Sequence, residues 1–408
     1  MLLFLWVILS QATPASPQLS SEFSWDIYAY QRPIARVLEE ESALQGLHYP
    51  EWVSSFYHNH HYPYLWNAKR RQALLRTIEE AELYDGLPRT RYHYDRLHTS
   101  HTLESEILFT DAFFTLAHDL ANGFLDPKKT HRTWNAERVE QSAFVDWLKQ
   151  SIHQGVQETL HSINQDNPRY QALRLLHREM QHSDLQHQLK KKNITREIVA
   201  INLERQRWLP QKLGHEYVLV NIPSYRVQVY EGDKVLWDDK VMIGKANKPT
   251  PAFVDKMQSV VMSPAWYAPP SLRKNGRTIV PPGANNNPMG KVKFQLPNPH
   301  AIILHDTNQR HLFTNESRAF SAGCVRVNNA EGLANVILRN HLEWHDSHKI
   351  KNAMNKRHET RVGIEPVPVY LTYWTLWGDQ DNRIYQAKDV YGKDKALLSQ
   401  YQQALGKR

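Results

Sequence analysis

Hydrophobic spacing divides the chain into two textures. From about residue 34 to 208 the period is helical. Leu65, Ala68, Leu74, Leu75, Ile78 and Ala81 recur every three to four positions, as do Leu103, Ile107, Phe113, Leu116 and Leu120. That spacing puts apolar side chains on one helix face, and Gly123 stops the second run. Further helices are predicted over 141–163, 169–181 and 194–207. Near residue 214 the pattern turns β-rich. Tyr217–Ile222, Arg226–Tyr230 and Val235–Ile243 read as strands, with Glu231-Gly232-Asp233-Lys234 as a hairpin turn. Val260–Met262, Ala301–Leu304, Val367–Trp377 and Arg383–Gln386 read as further strands. Residues 264–299 are crowded with Pro, Asn and Gly and read as long loops. One more helix fits about 329–343.

The fold class expected is therefore α+β, an N-terminal all-α scaffold domain plus a β-rich domain. The apolar run Leu2–Leu9 is shorter than the roughly 20 residues of a membrane span. With Ser10-Gln11-Ala12 after it, the run reads as a secretory signal over 1–12, although no Lys or Arg precedes it. Residues 13–30 read as a linker, 31–182 as the helical scaffold and 183–213 as a linker and connecting helix. Residues 214–378 read as the β-rich domain and 379–408 as a C-terminal extension. Lys190-Lys191-Lys192 reads as solvated linker. An exported product without a stable membrane anchor is expected.

Composition narrows the chemistry. Of 408 residues 41% are hydrophobic and 23% charged, which excludes wholesale disorder. The formal net charge of +8 suits a polyanionic partner without choosing among nucleic acid, anionic lipid and cell-wall polymer. A single cysteine excludes a disulfide framework, a cysteine-based zinc module and an iron–sulfur site. His215-Glu216 and His358-Glu359 lack the second histidine of a zinc-protease helix, and Gly244-Lys245 lacks the upstream glycine of a phosphate loop. His341, His345 and His348 are spaced to share a helix face but read as an exposed polar face. His58-Asn59-His60-His61 reads as a surface loop. No metal or cofactor is called for.

The informative segments are His305-Asp306-Thr307 and Ser321-Ala322-Gly323-Cys324-Val325-Arg326. A cysteine nucleophile works as a thiolate and needs a base or cation nearby. His305 follows an apolar strand, so its ring can be held rigidly. Gly323 permits a tight turn, and the Gly323 and Cys324 amides can face a developing oxyanion. Arg326 lies two residues on, the same side of extended chain as Cys324, where it can hold a carboxylate or carbonyl. On this reading Cys324 is thiolate-prone.

These residues resemble the signature of the L,D-transpeptidases with a YkuD-type catalytic domain. Leu203–Pro210, Val220–Pro223, Gly244-Lys245 with Thr250-Pro251, Ser263–Pro270, Asn287–Phe294 and Asp389–Gly392 resemble the periplasmic YcbB-like subgroup. Tyr84–Pro88 and Gly123–Pro127 resemble its scaffold region. That subgroup usually carries a small peptidoglycan-binding module; here only 183–193 occupies its place. Its substrate-capping insertion is cut down to about 271–287. The resemblance implies a periplasmic enzyme that forms 3→3 cross-links. Cys324 attacks a tetrapeptide stem to give a thioester, terminal D-alanine leaves and an acceptor amine resolves it. His305 is then the base, with a mainchain carbonyl to orient it. Gly323 and Cys324 supply oxyanion donors, and Ser321, Arg326 and Trp266 are substrate contacts. The implied partners are peptidoglycan stem peptides, not nucleic acid, with carbapenem-type inhibitors acylating Cys324. The same acyl-enzyme also serves L,D-carboxypeptidation, D-amino-acid exchange or lipoprotein attachment. A non-catalytic wall-binding scaffold is the rival of another class. The helical half is expected to position the catalytic half, so a chain beginning near Arg196 is expected to keep acylation.

Overall fold

The computed structural model describes residues 27–99, 102–268 and 279–406. The stretch read as a signal and part of the stretch read as a shortened insertion lie outside those residues. The helical half comprises α1 (Ile27–Glu39), α2 (Glu41–Leu44), α3 (Pro50–Asn59), α4 (Ala68–Asp85), α5 (Tyr94–Thr99) and α6 (Leu103–Asn122), then α7 (Gln141–Gln154), α8 (Val156–Ser162), α9 (Pro168–Glu179), α10 (Ser183–Lys190) and α11 (Arg196–Arg207). Helix α1 begins inside the stretch read as linker. The single helix expected over 141–163 is two, because Gly155 adopts φ +109 between α7 and α8.

Helix α6 is buried almost all round, so its acidic side chains need partners. Glu106 accepts the Leu65 and Trp66 N–H groups (2.5 and 3.1 Å). Asp111 accepts those of His48 and Tyr49 (3.0 and 2.8 Å). Asp119 pairs with Arg91. Each carboxylate thus pins a loop to the central helix.

The second half contains β1 (Glu216–Asn221), β2 (Arg226–Glu231), β3 (Lys234–Gly244), β4 (Phe253–Met262), β5 (Trp266–Tyr267), β6 (Ile279–Val280), β7 (Val292–Gln295), β8 (Leu304–His305), β9 (Ala319–Ser321) and β10 (Val325–Val327). Helices α12 (Ala330–Leu338) and α13 (Ser347–Met354) follow. Then come β11 (Thr360–Thr372), β12 (Leu376–Gly378), β13 (Ile384–Gln386) and α14 (Lys393–Ala404). Among the described residues the main sheet runs β10-β8-β7-β4-β11-β1-β2-β3-β9, and β10 also pairs with β3, closing the sheet on itself. Val227, Val229, Val241, Phe294, Leu304 and Val325 are fully buried in its core.

Three expectations change. The helix expected over 329–343 stops at Leu338, and His341, His345 and His348 fall after α12, before α13 and on α13. They share no helix face. Residues 379–408 are not an appendage: β13 pairs with β12, and Leu397 and Tyr401 of α14 are buried. The Tyr401 hydroxyl donates to the Gly86 carbonyl (2.8 Å). Nor do the halves part near residue 196. Helix α11 is buried against both, and Leu125 and Trp134 of the helical half belong to the sheet's own core. Thr133 donates to the Ala252 carbonyl (2.8 Å), and Asn135 pairs with the Val254 backbone.

Candidate active site

The expected strand over 301–304 shrinks to Leu304–His305, because Ala301 takes a left-handed backbone (φ +53). His305 therefore lies on the strand rather than after it. β8 runs parallel to β10 with Leu304 opposite Val325 and His305 opposite Arg326. Neighbouring strands lie about 4.8 Å apart, so the imidazole and guanidinium come off adjacent backbones on one face. Alternation puts Cys324, two residues before Arg326, toward that same side.

The cysteine turn is built by side chains from far along the chain. The Gly323 N–H donates to Ser321 Oγ (3.0 Å), and the Ser321 hydroxyl donates to the Cys324 carbonyl (2.6 Å). Thr250 donates to the Gly323 carbonyl (2.7 Å) and accepts the Gly244 N–H (2.8 Å). Tyr391 donates to the Gly244 carbonyl (2.6 Å) and accepts the Thr250 N–H (3.2 Å). Gly323 itself sits at φ +122, where a side chain would strain the turn. Ser321 is buried, and its hydroxyl bridges the Gly323 N–H and the Cys324 carbonyl across the turn. The Gly323 amide is therefore already bonded in this arrangement.

His305 is 5% exposed, and its Nδ1 faces the Asp306 carbonyl. The Met289 backbone is a second hydrogen-bond partner of the ring. Burial and then the Arg326 charge push the imidazole down to about 4. Against the expectation of a thiolate-prone Cys324, burial pushes the thiol up, only partly offset by the Ile303 backbone and Arg326. Its Sγ contacts the Ala301 carbonyl (3.6 Å). Burial thus disfavours the charged form of both groups.

Arg326 Nη1 donates to Gln309 Oε1 (2.7 Å), while its Nε is buried without a partner. Asp306 is buried, accepts the Lys291 N–H (2.8 Å) and pairs with Arg310, tying the 287–291 loop beside His305. Trp266 lies on the short β5–β6 ribbon, half-buried. Among the described residues no hydrogen bond or ring contact joins it to Cys324 or His305. Gln309, Thr250 and Asp306 are positioning groups that the sequence reading gave no role. Only the motif matches at Thr250-Pro251 and His305-Asp306-Thr307 pointed toward two of them.

Residues 215–369 match the family model of the L,D-transpeptidase catalytic domain, YkuD, and residues 51–175 match that of a scaffold domain. The chain carries a YkuD-type catalytic domain behind a helical scaffold domain. A Haemophilus influenzae protein provisionally named an L,D-transpeptidase is 29% identical over 249 residues, covering 51% of this chain and 50% of that one. The chain thus spans about half the length of the curated relative it matches. Solved structures that resemble it include an L,D-transpeptidase from Mycobacterium smegmatis, with 12% identity, 39% of this chain and 58% of that chain covered and a TM-score of 0.24. A mutant L,D-transpeptidase of Enterococcus faecium shows 13% identity, 40% and 52% coverage and a TM-score of 0.24.

Proposed function

We propose that the chain is a peptidoglycan L,D-transpeptidase working through a cysteine thioester. The observation that carries this reading is the parallel β8–β10 register, with His305 beside Arg326 and Cys324 at the adjoining turn. His305 Nε2 removes the thiol proton as Sγ attacks the carbonyl of the third residue of a tetrapeptide stem. The Cys324 N–H stabilises the oxyanion. As the C–N bond breaks, His305 returns the proton to the leaving amine of D-alanine. An acceptor side-chain amine then attacks the thioester, His305 takes its proton, and a 3→3 cross-link forms with the thiol restored. Arg326, its guanidinium partly free, holds a substrate carboxylate or carbonyl. The product is exported and acts in the periplasm, and carbapenems acylate Cys324.

Mass spectrometry of muropeptides after incubation with the purified chain tests the proposal. Cross-linked dimers that vanish in Cys324→Ala are expected. Trimmed tripeptides or exchanged D-amino acids alone would overturn the cross-linking assignment, and no change would overturn the enzyme.

A further inference from the structure

A cavity of about 420 Å³ lies outside the sheet and shares no residue with the Cys324 site. Its wall is the face of β1–β3 opposite the core. Val227 and Val229 point inward, so Gln228 and its cross-strand neighbours Leu219 and Asp238 point out. The β12–β13 hairpin forms the other side. Trp377 and Tyr385 are opposed across that hairpin and stack, centroids 5.7 Å apart at 17°. Tyr385 is 39% exposed. Arg169, at the start of α9, lines the cavity with its guanidinium against Tyr230 and Trp374. It is 9% exposed, donates to Tyr217 Oη (3.3 Å) and has a buried Nε without a partner. Among the described residues no carboxylate pairs with it.

The lining selects a ligand class. Asp233, Asp238, Asp379 and Asp381 outnumber Arg169 and Arg226, which disfavours a polyanion. Tyr385, exposed and backed by the stacked Trp377, offers an aromatic face with polar side chains around it, which fits a ring that is apolar on its face and hydroxylated on its rim. A pyranose has that form. Asp238 and Met242, the strand partner of Arg326, are four residues apart on β3, about 13 Å. We infer that this cavity holds the N-acetylhexosamine glycan of the cell wall and delivers stem peptides to Cys324. It rests on the proposed activity for its biological setting.

The test uses the full chain carrying Cys324→Ala, a β-1,4-linked N-acetylglucosamine tetramer as probe and tryptophan fluorescence as readout. Saturable binding is expected, weakened at least tenfold by Tyr385→Ala. Val235→Arg, at a rim position 42% exposed, should weaken it equally. With the native cysteine, Val235→Arg should process soluble tetrapeptide within about twofold of the parent but intact sacculi about tenfold less. No saturable binding, equal binding by both variants, or displacement by a glycan-free stem peptide would overturn the inference. Turnover of soluble tetrapeptide without glycan binding defeats this inference alone. Glycan binding without tetrapeptide turnover defeats the proposed activity and leaves the cavity assignment standing.

Discussion

Burial drives Cys324 and His305 toward their neutral forms, the thiol up and the imidazole down to about 4. A preformed ion pair would make alkylation flat from about pH 5 upward. A neutral pair predicts that the rate of iodoacetamide labelling keeps rising past pH 9. A plateau below pH 8 would contradict it. Arg326 lowers both groups. Arg326→Gln should therefore move the acid limb of the pH–rate profile up from about 4 toward the ordinary imidazole value of about 6.5, with reduced turnover. An unmoved limb would leave Arg326 a substrate contact only. The candidate residues were legible because His305, Gly323, Cys324 and Arg326 lie in two short segments whose residue types suggest a nucleophile and base. The bonds Ser321 makes across the turn were not, because they depend on where its hydroxyl proton goes. Gln309 was not, because it becomes a partner of Arg326 only when β8 meets β10.

Helix α11 shows what an element must satisfy when it is buried on all sides. Glu204 is fully buried, pairs with Arg207 (2.7 Å) and accepts the Leu125 N–H (2.7 Å). Glu204→Ala leaves the buried Arg207 charge without its ion-pair partner. It should cost about 3–5 kcal/mol in denaturant unfolding, and a loss below about 1 kcal/mol would contradict that account. Elements with one wet face were legible. In β2, Val227 and Val229 alternate with Arg226 and Gln228, and the strand was read to within a residue. β4 was read only at its apolar end, because Asp255, Lys256, Gln258 and Ser259 interrupt the pattern; its pairing with β11 supplies the rest. The overlong 329–343 helix followed Leu342, an apolar residue that is 93% exposed.

At the scale of the whole molecule, His131, His177 and His305 are held neutral, their pKa values lowered by burial to about 3, 4 and 4. The unfolded chain binds protons at these sites below about pH 6.5, so their stabilisation is complete above that pH and is lost as pH falls toward 4. Glu106, raised by burial to about 7, acts oppositely: it stabilises below about 4.5 and loses that as pH rises through 7. Three groups against one predict a melting temperature that falls from pH 7 to 5. Glu106→Gln should steepen the fall; a flat profile would contradict the assignment. A chain starting at Arg196 loses Leu125, Trp134 and the Gly86 carbonyl from around α11 and α14. It should show no cooperative near-ultraviolet melting, and a sharp transition would restore the separable halves. The closed sheet also has a consequence in time. Val218 of β1 pairs with Val369 of β11, about 150 residues later. At roughly 5–20 residues per second of synthesis, that edge waits roughly 8–30 s for its neighbour. Throughout that interval the nascent chain presents an open β-edge to any other strand, and a factor that shields it would govern yield.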